Sequence, residues 1–218
     1  YCPYKSPTDM GVNMAGNCIC DDEVCCEASR QEIIRRYYQS LNRLALDEAS
    51  KQEVYTLELL MKQAKVNVND RRVVTVAKQV AEERKCAVIA LELADGRIVT
   101  GKTTDLLGPA SAVLLNAIKE LGGIADEMHL ISPTYINPIQ NLKTRYLGSS
   151  NPRLHMDEVL IALSMCAATD SLAKLALEKL PELKGCQAHS TVMLTEGDFK
   201  VFKKLGVELT NDPIYETK

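Results

Sequence analysis

From Asp21 onward the chain settles into a helical rhythm. In "DDEVCCEASRQEIIRRYYQSLNRLAL" the apolar positions Ile33, Tyr37, Leu41 and Leu44 recur every three or four residues, the spacing of one helix face. Asp21 or Asp22 supplies the N-cap. "SKQEVYTLELLMKQAKV" opens with Ser50 and Glu53 in capping-box spacing and carries a stripe of Val54, Leu57, Met61 and Ala64. "DRRVVTVAKQVAEERK" places Val73, Ala77 and Val80 together. Residues 21–85 therefore predict three helices behind a turn-rich lead-in that contains Pro3, Pro7, Gly11 and Gly16.

After residue 85 the period changes. "CAVIALEL", the turn "ADG" and "RIVTGK" predict a hairpin. "GPASAVLLNAIKELGG" predicts a helix with Pro109 in its first turn and Gly122 past its end. "EMHLIS" predicts a strand, and "NPIQNLKTRYL" a helix capped by Asn137 with Pro138 at its first position. Two more helices follow, in "LHMDEVLIALSMCAA" and "DSLAKLALEKL", the second stopped by Pro181. "CQAHSTVML" and "VELT" predict strands flanking the helix "TEGDFKVFKKLG", which opens on Thr195 and Asp198 and ends at Gly206. Strands separated by helices give an α/β fold: a mixed sheet of about five strands flanked by helices, preceded by the three-helix segment. The expected division is residues 1–85 and residues 86–218, packed as one unit. Ligands in such sheets bind beyond strand ends, which singles out Lys102 to Asp105, Ser132 to Tyr135 and Thr195 to Asp198.

Composition narrows the function classes. The chain has 218 residues, 46% hydrophobic and 25% charged, and a net charge of −3. That balance leaves no basic footprint for nucleic acid or an anionic membrane surface. Trp is absent and Phe occurs twice, so no base-stacking platform is expected. No stretch approaches the roughly 18 apolar residues of a membrane span. The first residue is Tyr1 rather than Met, which points to a further segment upstream. The eight cysteines are scattered, and Cys166 sits inside an apolar helix, as buried reduced cysteine does. These features predict a cytoplasmic protein.

Candidate chemistry is sparse. Cys18, Cys20, Cys25 and Cys26 crowd one segment, but their spacing does not match paired zinc ligands, and Cys25 and Cys26 diverge by about 100° on a helix. No metal site is assigned. Zinc deamination is disfavoured because the hairpin leads into "TTDLLGPAS" rather than a ligand-bearing helix start, and no later P-C-x-x-C exists. Neither phosphate-loop nor dinucleotide glycine motif is present. "TGKTTD" still offers Lys102 and Thr103 as anion ligands near a following helix. Asp9 and Asn13, in a glycine-containing polar loop, are candidate ligand contacts. His155 with Asp157, and His189, are the acid/base candidates. His129, between Met128 and Leu130, reads as structural.

Longer strings carry a resemblance. "YKSPTDMGVNMAGNCI", "QEIIRRYYQ", "VYTLELLMKQA", "DGRIVTGKT", "NPRLHMDEVLIALS" and "GCQAHSTVML" resemble, in order, the carboxy-terminal part of bacterial uncharacterised protein family 0371. The resemblance implies a chain about half the length of its relatives. Their amino-terminal half, which carries a glycine-rich segment similar to a nucleotide phosphate loop, would be its partner. It implies no reaction and no catalytic residues. The resulting expectation is a ligand-binding or catalytic half that acts on a nucleotide or phosphorylated metabolite and assembles as a homo-oligomer. The alternative is a non-catalytic assembly module bracing the other half.

Overall fold

A computed structural model describes residues 21–215. They fall into two compact units that divide in the chain between Arg71 and Arg72. In the first, α1 (Asp22–Ala45) packs on α2 (Lys51–Ala64), and a single 3-10 turn, Val68–Asp70, follows. Asp21 caps α1 by accepting from the amides of Glu23 and Val24, which satisfies donors that a helix start leaves orphaned. Ile34 and Tyr38 are buried while Ile33, Tyr37 and Leu41 are half-buried, so the apolar stripe of α1 is wider than the periodicity predicts. Ser50 caps α2 by accepting from the Glu53 amide. The Glu53 carboxylate does not complete a capping box: it accepts from Ser40 Oγ at 2.8 Å and Arg43 Nη1 at 3.0 Å, and so ties the two helices together.

The second unit begins with α3 (Arg72–Arg84) and the hairpin β1 (Val88–Glu92) and β2 (Ile98–Lys102). α4 (Pro109–Gly122), α5 (Pro133–Asn141), α6 (Met156–Ala167) and α7 (Ser171–Glu178) follow, then β3 (Gln187–Ser190), α8 (Glu196–Leu205) and β4 (Glu208–Asn211). The sheet order is β2-β1-β3-β4, with β1 antiparallel to both β2 and β3, and β3 parallel to β4. It is the expected mixed sheet flanked by helices, with four strands among the described residues rather than about five. No strand forms in "EMHLIS": the segment joins no strand of the described sheet, and Leu130 and Ile131 are instead both buried in the main core. The helix that follows starts earlier than expected. Ser132 is its N-cap and Pro133 its first residue, so Asn137 and Pro138 lie inside it. A π-helical turn, Leu142–Tyr146, continues it.

Strand alternation sorts the two sheet faces. Ile89, Leu91 and Val99 join the main core with α4, α6, α7 and α8, whereas Ala90 and Ile98 pack with Val73 and Ala77 of α3. Gly101 lies on the α4 side and lets β2 approach that helix closely: a Cβ there would stand 2.0 Å from the Val113 amide nitrogen. Among the described residues, no helix is long and apolar enough to cross a membrane.

Candidate functional site

β2 is the edge strand of the sheet, and a cavity of about 540 Å³ lies along it. Such a volume falls within the range of small-molecule sites. Four stretches of chain build its walls. The last turns of α3 bring Arg84 and Glu83, β2 brings Thr100 and Lys102, α4 brings Asn116 and Lys119, and the stretch ahead of α5 brings His129. The remaining lining is mainly aliphatic, with Leu115, Ile131, Ile136 and Leu154 prominent. Asn116 Nδ2 donates to the carbonyl of Thr100 at 2.9 Å, and so satisfies an edge-strand acceptor and holds α4 against β2. Lys119 Nζ donates to the Asp126 carbonyl at 2.8 Å. Lys102 and Arg84 are exposed and have no ion-pair partner among the described residues. The walls therefore carry three cations against one carboxylate, in a chain whose net charge is −3.

The far wall depends on Leu154. Its amide donates to the Leu106 carbonyl at 2.9 Å, and its carbonyl accepts from Ser111 Oγ at 2.9 Å and from the Gly108 amide at 3.4 Å. Leu154 and Leu107 thereby form a parallel bridge, and Leu106, Leu107 and Leu154 all line the cavity.

The next residue, His155, has an extended backbone, so its side chain leaves the strand-like segment on the face opposite Leu154. There it meets α8. His155 Nδ1 lies 3.1 Å from Asp198 Oδ2, Thr195 Oγ1 donates to the same oxygen at 2.8 Å, and the Met156 amide donates to Oδ1 at 2.9 Å. A carboxylate accepts, so the imidazole carries a proton on Nδ1. Burial works against ionisation of Asp198, but the hydrogen bonds from His155, Met156 and Thr195 outweigh it and hold the carboxyl below its ordinary range. The Asp198 hydrogen bond raises the His155 pKa above the usual 6.5, against opposition from burial and from Lys143, and with help from Glu158. Glu158 Oε2 in turn accepts from the His155 amide and from Lys143 Nζ, both at 2.8 Å.

The sequence-predicted residues are thus dispersed. Lys102 lines the cavity; Thr103 does not, and its amide donates to the Ala87 carbonyl just past the β1–β2 ladder. Thr104 takes its place in the wall. His155 pairs with Asp198, whereas the carboxylate of Asp157 accepts from the Glu158 amide. His189 is fully buried in β3, with Nδ1 2.9 Å from Thr210 Oγ1 and Nε2 3.7 Å from Asp212 Oδ1. Asp9 and Asn13, like Cys18 and Cys20, lie outside the described residues. Arg84 and Lys119 escape the sequence reading because only tertiary packing gathers them, and His129, expected there to be structural, is exposed and lines the cavity.

Comparison with known proteins follows the same division of the chain. Residues 69–218 match the model of the domain of unknown function DUF1846, C-terminal, and residues 1–65 match its N-terminal counterpart. The chain is 52% identical over 214 residues to a UPF0371 protein of Streptococcus uberis, covering 98% of this chain and 43% of that protein. It is 53% identical over 216 residues to a UPF0371 protein of Corynebacterium aurimucosum, covering 99% of this chain and 43% of the relative. The chain spans less than half the length of these curated relatives. It belongs to the DUF1846 family, whose curated bacterial members are named as UPF0371 proteins.

Proposed function

We propose that the second unit binds a small phosphorylated metabolite in the cavity along β2. One observation carries this reading: three basic side chains, Arg84, Lys102 and Lys119, converge from three separate elements on an otherwise mainly aliphatic pocket. A cleft with one sign of charge and low-dielectric walls concentrates counter-ions of the opposite sign. Lys102 and Arg84 would take the phosphoryl oxygens, and the guanidinium can do so with two parallel hydrogen bonds. Leu115, Ile131 and Ile136 would pack the carbon frame of the ligand. The test is calorimetric titration of the protein with pyrophosphate, sugar phosphates and nucleotides. Arg84→Ala and Lys102→Ala should each weaken the best ligand about tenfold, as expected for losing a hydrogen bond to a charged group. Affinity unchanged in the double variant removes the reading.

A second reading, an assembly module, draws on α6. Val159, Ala162, Leu163 and Cys166 are buried on one side of it, yet Ile161 is 60% and Met165 49% exposed one turn apart on the other. A helix that is apolar on both sides offers a face for a second copy of the chain.

A further inference from the structure

The wall of the cavity and the His155–Asp198 pair are consecutive in the chain. Leu154 is held to Leu106, Gly108 and Ser111 by backbone and side-chain hydrogen bonds. His155 and Met156, the next two residues, are both held by one carboxylate on α8, the first through its imidazole and the second through its amide. That carboxylate is only 9% exposed, while the imidazole is 35% exposed and in reach of solvent protons. We propose that His155 and Asp198 form a proton-controlled latch on the Leu154 wall, which keeps the cavity in shape for its ligand while His155 is protonated and loosens it when His155 is neutral. The ligand side of this statement rests on the phosphorylated-metabolite reading above; the latch itself does not.

The groups around His155 set the pH window. Asp198 and Thr195 face it from α8, Glu158 from the first turn of α6, and Lys143 from the π-helical turn. Arg153 precedes it in the chain and Asp157 follows it. Glu158 and Lys143 bond each other, so the carboxylate of Asp198 is the charge that decides. The folded pKa of His155 is raised, so its contribution is complete below the ordinary value of 6.5 and fades as pH rises through the folded value. The folded pKa of Asp198 is lowered, so its contribution is present above 3.8 and fades as pH falls through the folded value. The charged latch therefore holds from acid pH to beyond 6.5 and opens on the alkaline side.

The test is amide hydrogen exchange at Leu154 and Met156 in the ligand-free protein, at about pH 5.5 and about pH 8.5, corrected for the intrinsic pH dependence of exchange. Protection should fall about fivefold across that interval, as the imidazolium–carboxylate pair gives way to a weaker hydrogen bond from the neutral imidazole to the same ionised carboxylate. In His155→Gln the step should vanish. The ratio of pyrophosphate affinities, wild type over His155→Gln, should be about fivefold at the lower pH and near unity at the higher, with the titration of the ligand itself cancelling. Protection that does not change with pH in the wild type, or a step that survives in His155→Gln, overturns the latch. If that variant does not fold, NMR titration of the wild-type His155 imidazole decides: a pKa at or below the ordinary value overturns the proposal. Absence of pyrophosphate binding together with a normal exchange step removes the ligand reading and leaves the latch standing.

Discussion

Replacing Gly101 by alanine should do more damage than any other single added methyl group in β2. The new Cβ would stand 2.0 Å from the Val113 nitrogen, 2.5 Å from its Cα and 2.7 Å from the Ala112 carbonyl carbon. All three are backbone atoms of α4, so no side-chain rotation relieves the clash. Ordinary contact begins near 3.5 Å, which means strand and helix must part by about 1.5 Å. A gap of that size forfeits at least half of the dispersion energy between β2 and α4, whose Val99, Val113 and Ala117 share the main core. Overpacking of this kind costs about 3 kcal/mol or more, and the reduced freedom of the unfolded chain returns only about 0.5–1 kcal/mol. The assay is urea unfolding followed by circular dichroism, with Gly197→Ala as the companion variant. Gly197 is exposed within α8, and its nearest neighbour would be Thr195 Oγ1 at 3.9 Å, so alanine there should stabilise by about 0.5 kcal/mol. Gly101→Ala with an unchanged or higher midpoint would refute the reasoning. Since Thr100 and Lys102 flank Gly101 and line the cavity, the same variant should also weaken phosphate binding.

Two further outcomes follow from single contacts. Ser111→Ala removes the 2.9 Å hydrogen bond to the Leu154 carbonyl in a fully buried position, and should cost about 1 kcal/mol in urea unfolding; no loss would mean that the Gly108 amide alone satisfies that carbonyl. Ile161→Lys places a charge in the exposed apolar face of α6, and should convert any homo-oligomer to monomer in light scattering without lowering the thermal midpoint; a wild-type protein that is already monomeric sinks the assembly reading.

The fold was readable where a residue's neighbours in sequence decide its state. The helix stripe of Val54, Leu57 and Met61, the capping residues Asp21, Ser50 and Thr195, and the hairpin turn at Gly96 all act within a few residues of themselves. The misreading at "EMHLIS" has the opposite cause. Leu130 and Ile131 are apolar because the packed core around α4 and α6 needs both, a requirement that periodicity within six residues cannot express. Pro138 misled for a related reason: Ser132 followed by Pro133 is the stronger helix start, and the helix accepts the loss of one amide donor further in.

The candidate site shows the same limit in a sharper form. Lys102 could be found because it ends a strand, a position defined locally. Asp198 is the instructive case. It sits at the third helical position after Thr195, where the sequence pattern predicts a carboxylate folded back on its own N-cap, and Glu53 sits in the same place after Ser50. In neither helix does the carboxylate bond the amide of its N-cap residue, although Asp198 Oδ2 accepts from the Thr195 hydroxyl. Glu53 reaches Ser40 and Arg43 on α1, and Asp198 reaches His155, 43 residues away in the chain. The first turn of a helix favours an ionised carboxylate through its exposed amides and its dipole, whatever that carboxylate then bonds. A capping position is thus a place where a negative charge is stable before any partner arrives, and tertiary structure is free to spend it elsewhere. The pattern reports that the charge will be there; only the fold says that His155 is the residue to receive it.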